Sequence, residues 1–164
     1  YARHDFRLGY AGPSSYCQSH LSSLLFSPEE TIVEMSPNDR RYSQEHEWVL
    51  IEDLASKQTL AGITNYAQEQ LGDIVYFELP KIGTEVTHMG KIGEVESVKA
   101  VSDLFSPVNG EVIEVNQSLL DHPEIANDDP FGAGWILRIT INDVTEIDSL
   151  MSAEDYDTYI SGLS

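Results

Sequence analysis

Cysteine is almost absent from this sequence: Cys17 is the single thiol in 164 residues. One thiol excludes an intramolecular disulfide and a cysteine-rich metal site. Long apolar runs are absent as well, so the sequence predicts a soluble protein with no membrane-spanning segment and no membrane partner. The length suits one domain with a sizeable hydrophobic core and is short for two.

Basic residues are also scarce. Nine Lys and Arg residues stand against 28 Asp and Glu residues, and the formal net charge is −19. A surface this acidic repels phosphate backbones, which excludes nucleic acid as a partner. The acidity favours docking onto basic partners, and adaptation to a salty cell interior is an equally open explanation.

The first 36 residues differ in composition from the rest of the chain. They are rich in serine, contain Arg3 and Arg7, and have one acid before Glu29. Such a segment is typical of a transit leader, whereas an extension ahead of a natural start at Met35 fits slightly better. For either origin we expect residues 1–36 to be poorly ordered, because they offer little apolar surface to offset the entropy of ordering. The folded domain is expected to span residues 37–164.

Short β-like runs dominate this remaining sequence. Alternation or β-rich composition predicts strands at 46–51, 59–63, 73–79, 85–87, 93–98, 104–115 and 135–141. The side chains predicted to share a buried face are Val75, Phe77 and Leu79 in one strand and Trp135, Leu137, Ile139 and Ile141 in another. Strands that are short and numerous indicate a mainly β fold, either a sandwich or a small barrel.

Few helices are predicted. Thr64 is suited to N-cap a helix over residues 65–71, which Gly72 ends. Residues 118–126 are expected to form one or two helical turns. A C-terminal helix is predicted at 152–160, where Ser152 and Asp155 resemble a capping box and apolar side chains allow docking on a sheet.

A lysine separates two of the predicted strands. Lys99 follows the alternating run 93–98 and precedes the run 104–115, so it is expected at a hairpin tip. A lysine in a turn is usually a solvated charge, but a hairpin tip also suits covalent attachment, because rigid strands fix the base while the amine stays exposed. Biotin and lipoate are both attached to lysines of this kind. Biotin carriers typically flank the lysine with methionine, whereas the neighbours here are Val98 and Ala100.

Several blocks of sequence resemble the glycine cleavage system H protein family. The block around the lysine is Glu96-Ser97-Val98-Lys99-Ala100. The other blocks keep the family's order and spacing at 46–48, 62–68, 71–75, 78–80, 106–112 and 134–135. Lipoyl domains of 2-oxoacid dehydrogenases usually have Asp before the lysine, so the valine there favours the H protein pattern.

This resemblance implies a fold and a function. The fold would be a barrel-sandwich hybrid of two antiparallel sheets with a short helix and a C-terminal helix. The protein would be a monomeric, non-catalytic carrier with lipoate attached to Lys99 by a lipoate-attaching enzyme. It would pass an aminomethyl group from a pyridoxal-phosphate-dependent glycine decarboxylase to a tetrahydrofolate-dependent aminomethyltransferase, and electrons to dihydrolipoyl dehydrogenase. The compartment would be the bacterial cytoplasm, or the mitochondrial matrix if residues 1–36 are a transit leader.

The resemblance also points to two acids, Glu47 and Asp103, at family positions that line a cleft for the loaded arm. The aminomethyl group is lost when its nitrogen lone pair expels the sulfur. A nearby carboxylate favours the protonated nitrogen, and a cleft that limits water slows the loss. The alternative for both residues is an ordinary surface carboxylate. Glu45 and Asn65 depart from the family pattern, which commonly has serine and aspartate at these positions.

Other chemistry finds little support. His46-Glu47 lacks the second histidine of a zinc-protease motif, because position 50 is Leu50. No set of Ser, His and Asp suggests a nucleophile, so we expect no metal site and no catalytic residue. Two alternative functions stay open: a lipoate-relay protein that uses Lys99 to supply other complexes, and an unmodified acidic interaction module.

Overall fold

The computed structural model describes residues 35–163, so the predictions for residues 1–36 lie outside the described residues except at the last two positions. The strands are β1 (Arg41–Tyr42), β2 (Glu47–Asp53), β3 (Gln58–Ile63), β4 (Ile74–Glu78), β5 (Glu85–Val86), β6 (Lys91–Ser97), β7 (Val101–Phe105), β8 (Gly110–Val115) and β9 (Leu137–Ile141). The α-helices are α1 (Asn65–Leu71), α2 (Gln117–Asp121), α3 (Ile125–Asp128) and α4 (Ala153–Ser161), and Val144–Ser149 is a 3-10 helix.

The strands form two antiparallel sheets. The large sheet has the order β1-β2-β3-β9-β8-β5, and the small sheet has the order β4-β6-β7. Their inner faces share one hydrophobic core, to which Val49 and Ile139 contribute from the large sheet and Phe77 and Val95 from the small one. The predicted fold class, mainly β with two antiparallel sheets, a short helix and a C-terminal helix, is confirmed. Among residues 35–163 the sheets stay separate and do not close into a barrel.

The alternation predicted for β9 decides how this strand packs. Leu137, Ile139 and Ile141 are buried, and the two residues between them are only partly buried. Successive side chains of a strand point to opposite faces, so these three reach the same core, as predicted. The strand begins two residues later than expected. Trp135 therefore lies outside it and packs with the cluster under the C-terminal helix, so the prediction that Trp135 shares the buried face of Leu137, Ile139 and Ile141 is wrong.

β4 departs from the predicted pattern. Ile74 and Phe77 are its buried residues, whereas Val75 and Tyr76 are half exposed. The register against β6 shifts between Ile74 and Tyr76, which makes Val75 the extra residue of a β-bulge and changes the phase of the strand. The prediction that Val75 shares a buried face with Phe77 and Leu79 is therefore wrong.

The C-terminal helix covers the outer face of the large sheet. Trp48 points to that face and packs with Tyr42 and with Tyr156 of α4. Glu47 and Val49 point to the opposite, inner face, because the side chains of β2 alternate. All three residues at the start of β2 are consequently buried. The predicted docking of the C-terminal helix on a sheet is confirmed.

Both predicted helix caps are present. Thr64 Oγ1 accepts a hydrogen bond from Ala67 N at 3.2 Å, and Ser152 Oγ accepts one from Asp155 N at 3.2 Å. α1 ends at Gly72, whose φ of 76° and ψ of −154° lie in a region that glycine adopts readily and other residues avoid. The turns predicted at 118–126 correspond to α2 and α3.

Candidate functional site

Lys99 lies at the tip of the hairpin formed by β6 and β7. Glu96 and Val101 are the pair nearest the tip, and Ser97 N donates to Ala100 O at 2.8 Å. Ser97 Oγ accepts hydrogen bonds from the backbone N–H groups of Lys99 and Ala100, each at 3.2 Å. Sequence reasoning assigned Ser97 no role. A serine just before a short turn was the available signal, because its hydroxyl can hold the backbone N–H groups that follow.

The Lys99 side chain is exposed. Its ammonium makes no hydrogen bond or ion pair with the part of the chain that the structure describes. The aliphatic stem lies over Gly72, since a Cβ atom there would be 2.9 Å from Lys99 Cε and 3.5 Å from Nζ. Val98 N donates to Asp73 O at 3.0 Å, which fastens the hairpin to the segment after α1. The amine is thus accessible on a rigid base.

A cleft of about 250 Å³ opens beside this lysine. Its walls come from α1, from the start of β2 and from the hairpin strands β6 and β7. Glu47 and Asp103 both line the cleft, and so does Glu45. Leu71 lines the cleft and directly precedes Gly72, against which the Lys99 stem lies. The attachment candidate and both candidate cleft acids therefore belong to one region.

Glu47 is a buried carboxyl, 5% exposed, and not a surface one. Its Oε1 accepts a hydrogen bond from Phe105 N at 3.1 Å and its Oε2 accepts one from Ser43 Oγ at 2.5 Å. Burial raises the pKa of Glu47 to about 7, although the hydrogen bonds from Ser43 and Phe105 oppose this change. The carboxyl consequently gains or loses its proton near neutral pH.

Asp103 lines the same cleft but is about half exposed. Its Oδ1 accepts from Lys91 Nζ at 2.9 Å, and Lys91 also donates to Glu94 at 2.6 Å. The hydrogen bonds to Glu94 and Asp103 raise the pKa of Lys91 above its ordinary value. Sequence reasoning assigned Lys91 no role and treated Glu94 as ordinary surface. Lys91 can contact both acids because Glu94 lies opposite Asp103 in the hairpin register. A register depends on turn geometry, so sequence reasoning could not supply this contact.

A chain of hydrogen bonds connects the cleft to the C-terminal helix. The Tyr156 hydroxyl lies 2.9 Å from His46 Nδ1 and 2.7 Å from Thr64 Oγ1. Thr64 is the N-cap of α1, and His46 lines the cleft with a φ of 70°. Burial lowers the pKa of His46, which favours a neutral ring. These residues come from three separate segments, so no local sequence pattern could have connected them.

The two departures from the family pattern have different surroundings. Glu45 lines the cleft, whereas Asn65 lies on α1 and bonds to Glu69 at 3.1 Å and to Gln68 at 2.7 Å. Within residues 35–163 no group of three or more His, Cys, Asp or Glu side chains is arranged to hold a metal ion. No helix in that range is both long and apolar enough to cross a membrane.

Barrel-sandwich domains that present a lysine on a hairpin tip are carriers of a covalently attached group, and this chain has their architecture. A family model described as "Glycine cleavage H-protein" matches residues 40–162. Because that match covers most of the chain, the chain belongs to the glycine cleavage H-protein family, a family of lipoyl carriers.

Individual relatives agree with this assignment. The chain is 48% identical over 126 residues to the glycine cleavage system H protein of Geobacillus kaustophilus, covering 77% of this chain and 97% of the relative. It is 47% identical over 125 residues to the probable glycine cleavage system H protein of Natronomonas pharaonis, covering 76% and 96%. The crystal structure of a glycine cleavage system H protein from Mycobacterium marinum is similar with a TM-score of 0.70 and 37% identity, covering 77% of this chain and 99% of that one.

Proposed function

We propose that this protein is the lipoyl-lysine carrier of a glycine cleavage system, with lipoate attached to Lys99. In this role it receives the aminomethyl group from a pyridoxal-phosphate-dependent glycine decarboxylase and delivers it to a tetrahydrofolate-dependent aminomethyltransferase. Dihydrolipoyl dehydrogenase then takes up the electrons. The observation that supports the proposal best is the accessible Lys99 amine, which has no partner among residues 35–163, beside a cleft lined by Glu45, Glu47 and Asp103.

The chain's own contribution is to hold the attachment point and not to catalyse a reaction. The lipoyl group, when attached, supplies a ring disulfide that takes up the aminomethyl group. The Ser97 turn keeps the base of the arm in one place, while the exposed side chain of Lys99 leaves the arm free to turn. Tethering of this kind keeps the cargo at a high effective concentration for each partner in turn.

Glu47 and Asp103 are proposed to protect the cargo inside the cleft. A cargo amine there would lie near both carboxyls, and a carboxylate a few ångströms away favours the cationic form of an amine. The same cation would favour the ionised form of Glu47, so entry of the cargo would displace the proton that burial keeps there near neutral pH. Asp103 shares its charge with Lys91, so its effect on the amine should be the weaker one.

Intact mass after incubation with a lipoate-attaching enzyme tests the attachment site. We expect one lipoyl group on the wild-type protein and none on Lys99→Arg, which keeps the positive charge but has no acylatable amine under these conditions. Lys57→Arg is the matched control, because Lys57 is another exposed lysine in a turn between strands. A wild-type protein that a competent enzyme leaves unmodified would refute the proposed carrier function and favour the unmodified interaction module.

The role of the cleft acids is tested on protein loaded with the aminomethyl group. Glu47→Gln and Asp103→Asn should release formaldehyde and ammonia faster than the wild type. Glu111→Gln, an exposed acid on β8, should not. Equal release rates in all four proteins would exclude both carboxyls from protection of the cargo.

A carbon-exchange assay with the partner enzymes separates the carrier from a lipoate-relay protein. The carrier should support exchange between bicarbonate and the carboxyl carbon of glycine, whereas a relay protein would be lipoylated and inactive in this assay. The proposed carrier domain spans residues 37–164. We propose the bacterial cytoplasm as its compartment, with the mitochondrial matrix as the alternative if residues 1–36 are a transit leader.

A further inference from the structure

Four large apolar side chains around Lys99 are exposed to solvent, and we call them the apolar patch. Val75, Tyr76, Val98 and Val101 are 51%, 52%, 67% and 58% exposed. Eleven large hydrophobic residues are exposed among residues 35–163, and these four belong to the small sheet and its hairpin. Scattered apolar residues are normal on a protein surface, but a cluster on the sheet that carries a functional candidate indicates an interaction site.

Backbone pairing places two of these residues on one face of the small sheet. Tyr76 pairs with Glu96, and Glu96 pairs with Val101, so the three side chains form one row in which the partly exposed carboxylate of Glu96 lies between two apolar residues. The bulge in β4 turns Val75 outward beside Tyr76. Val98 follows at the hairpin tip, next to Lys99. The row therefore extends from the edge strand β4 to the attachment candidate.

The next row of the same sheet face is acidic. Glu78 pairs with Glu94, and Glu94 pairs with Asp103, two residues along each strand from the first row. Lys91 offsets part of this charge through its contacts with Glu94 and Asp103, whereas no cation among residues 35–163 pairs with Glu78. The surface near the lysine is thus mainly apolar, with Glu96 as its one acid in the first row, and the next row is acidic. A protein with an apolar centre and a basic rim would complement it.

We propose that the apolar patch is the docking surface for the enzyme that acylates Lys99. This inference rests on the proposed function. This partner is chosen because its active site must come within one lysine side chain of the hairpin. In the reaction the Nζ lone pair attacks an activated lipoyl carbonyl carbon and forms the amide bond, the activating group leaves with its electron pair, and the nitrogen gives up a proton. All of these atoms lie at the end of the Lys99 side chain, so the enzyme has to cover the hairpin. The later partners meet the far end of a long arm and can stay further away.

The test compares acylation of unmodified protein by a lipoate-attaching enzyme that uses an acyl-adenylate. One double variant carries both Tyr76→Ser and Val101→Ser. The matched control is Leu54→Ser, a similarly exposed apolar residue in the β2–β3 turn. Initial rates are read by intact mass, and the affinity of the unmodified protein for the enzyme is measured separately by calorimetry. All substituted side chains are exposed, so far-ultraviolet circular dichroism should show unchanged folding.

We expect the double variant to lose roughly tenfold in kcat/KM and in affinity, as for the removal of central apolar contacts from an interface, with the control within about twofold of the wild type. Wild-type rates in the double variant would overturn the inference and leave the proposed function standing. So would slower reoxidation by dihydrolipoyl dehydrogenase together with normal acylation, because the patch would then serve another partner. No acylation of the wild type would refute the proposed function itself.

Salt dependence tests the basic rim of the partner. The kcat/KM of the wild type should fall as sodium chloride rises, since the opposite charges are screened over a shorter distance. Glu78→Gln should lower kcat/KM at low salt and reduce the salt dependence, whereas Glu85→Gln, an exposed acid on β5 of the large sheet, should change neither. A rate that is independent of salt in the wild type would refute the basic rim.

Discussion

Glu47 is buried because it is in phase with Val49 on the inner face of β2. That face is covered by the small sheet, whose Phe105 N–H and the nearby Ser43 hydroxyl supply its two hydrogen bonds. The bonds satisfy the carboxyl but do not fully offset the loss of water, so its pKa is raised to about 7. One carboxyl therefore joins the two sheets and also responds to pH.

The raised pKa of Glu47 has a consequence for stability. In the folded protein the Glu47 carboxyl keeps its proton up to about pH 7, whereas in the unfolded chain the carboxyl loses its proton near pH 4.5, its ordinary pKa. The uptake of this proton therefore stabilises the folded state fully below pH 4.5, and the stabilisation is lost as the pH rises through 7. The free energy of unfolding should fall by up to about 3 kcal/mol across this range. Glu47→Gln removes this titration. The difference in the free energy of unfolding between wild type and variant should change across this window in urea titrations, and a constant difference would contradict the raised pKa.

The Tyr156 hydroxyl is a second buried polar group, after Glu47, whose hydrogen-bond partners contribute to stability. It bridges His46 and the N-cap Thr64 inside the protein, so Tyr156→Phe leaves both partners short of a hydrogen bond. We expect a loss of about 1–3 kcal/mol in urea unfolding. Tyr159→Phe is the control, because its exposed hydroxyl makes one 3.3 Å bond to Gln44 O, and it should cost less than about 0.5 kcal/mol. Equal losses would argue against the bridge.

At the scale of elements, the end of α1 combines a backbone requirement with a contact to the attachment candidate. Gly72 has a positive φ and lies under the Lys99 stem, whereas Gly83 has a φ of 90° and open space around its Cα. Alanine at both positions should cost about 1 kcal/mol or more, because L residues disfavour this backbone conformation. Only Gly72→Ala should also displace the lysine side chain.

The two alanine variants are compared by urea unfolding and by the chemical reactivity of Lys99 towards an acylating reagent, read by mass after digestion. Gly83→Ala should leave that reactivity unchanged. If Gly72→Ala also leaves it unchanged, the Lys99 stem does not rest on Gly72 in solution.

Elements with a strong local signal could be predicted and those set by neighbours could not. The two capped helices α1 and α4 and the alternation in β9 were predicted because caps and side-chain periods depend on nearby residues. β4 was predicted as a strand, but the face of Val75 was wrong, because the bulge comes from pairing with β6, which lies later in the chain. The hairpin tip at Lys99 was predicted, but the single strand predicted over 104–115 was wrong, because β7 (Val101–Phe105) pairs in the small sheet and β8 (Gly110–Val115) in the large one.

At the scale of the whole molecule, the net charge of −19 dominates the electrostatics. With 28 acids and nine basic residues, most acids have no cation to pair with, so mutual repulsion destabilises the compact state. Salt shortens the range of this repulsion, from about 30 Å at 0.01 M to about 3 Å at 1 M. We expect the melting temperature to rise steadily between these concentrations of sodium chloride.

Potassium chloride at equal ionic strength is the control for that measurement, because screening does not distinguish the two cations. A melting temperature that falls with salt would mean that surface ion pairs, such as Arg138 with Glu52, outweigh the repulsion. Measuring the same series on the protein before and after lipoylation would show whether the loss of one ammonium at Lys99 adds to the effect.

The sequence by itself determined the turn that carries Lys99, the caps of α1 and α4, most strand positions and the acidity of the surface. Each depends on residues close together in the chain or on composition alone. The tertiary structure alone decided that Glu47 is buried, that Lys91 pairs with Asp103, that Tyr156 bridges His46 and Thr64, and that four apolar residues are exposed on the sheet and hairpin that carry Lys99. The physical reason is that burial and hydrogen-bond partners come from whichever strand or helix lies opposite, and distant segments meet only when the two sheets pack.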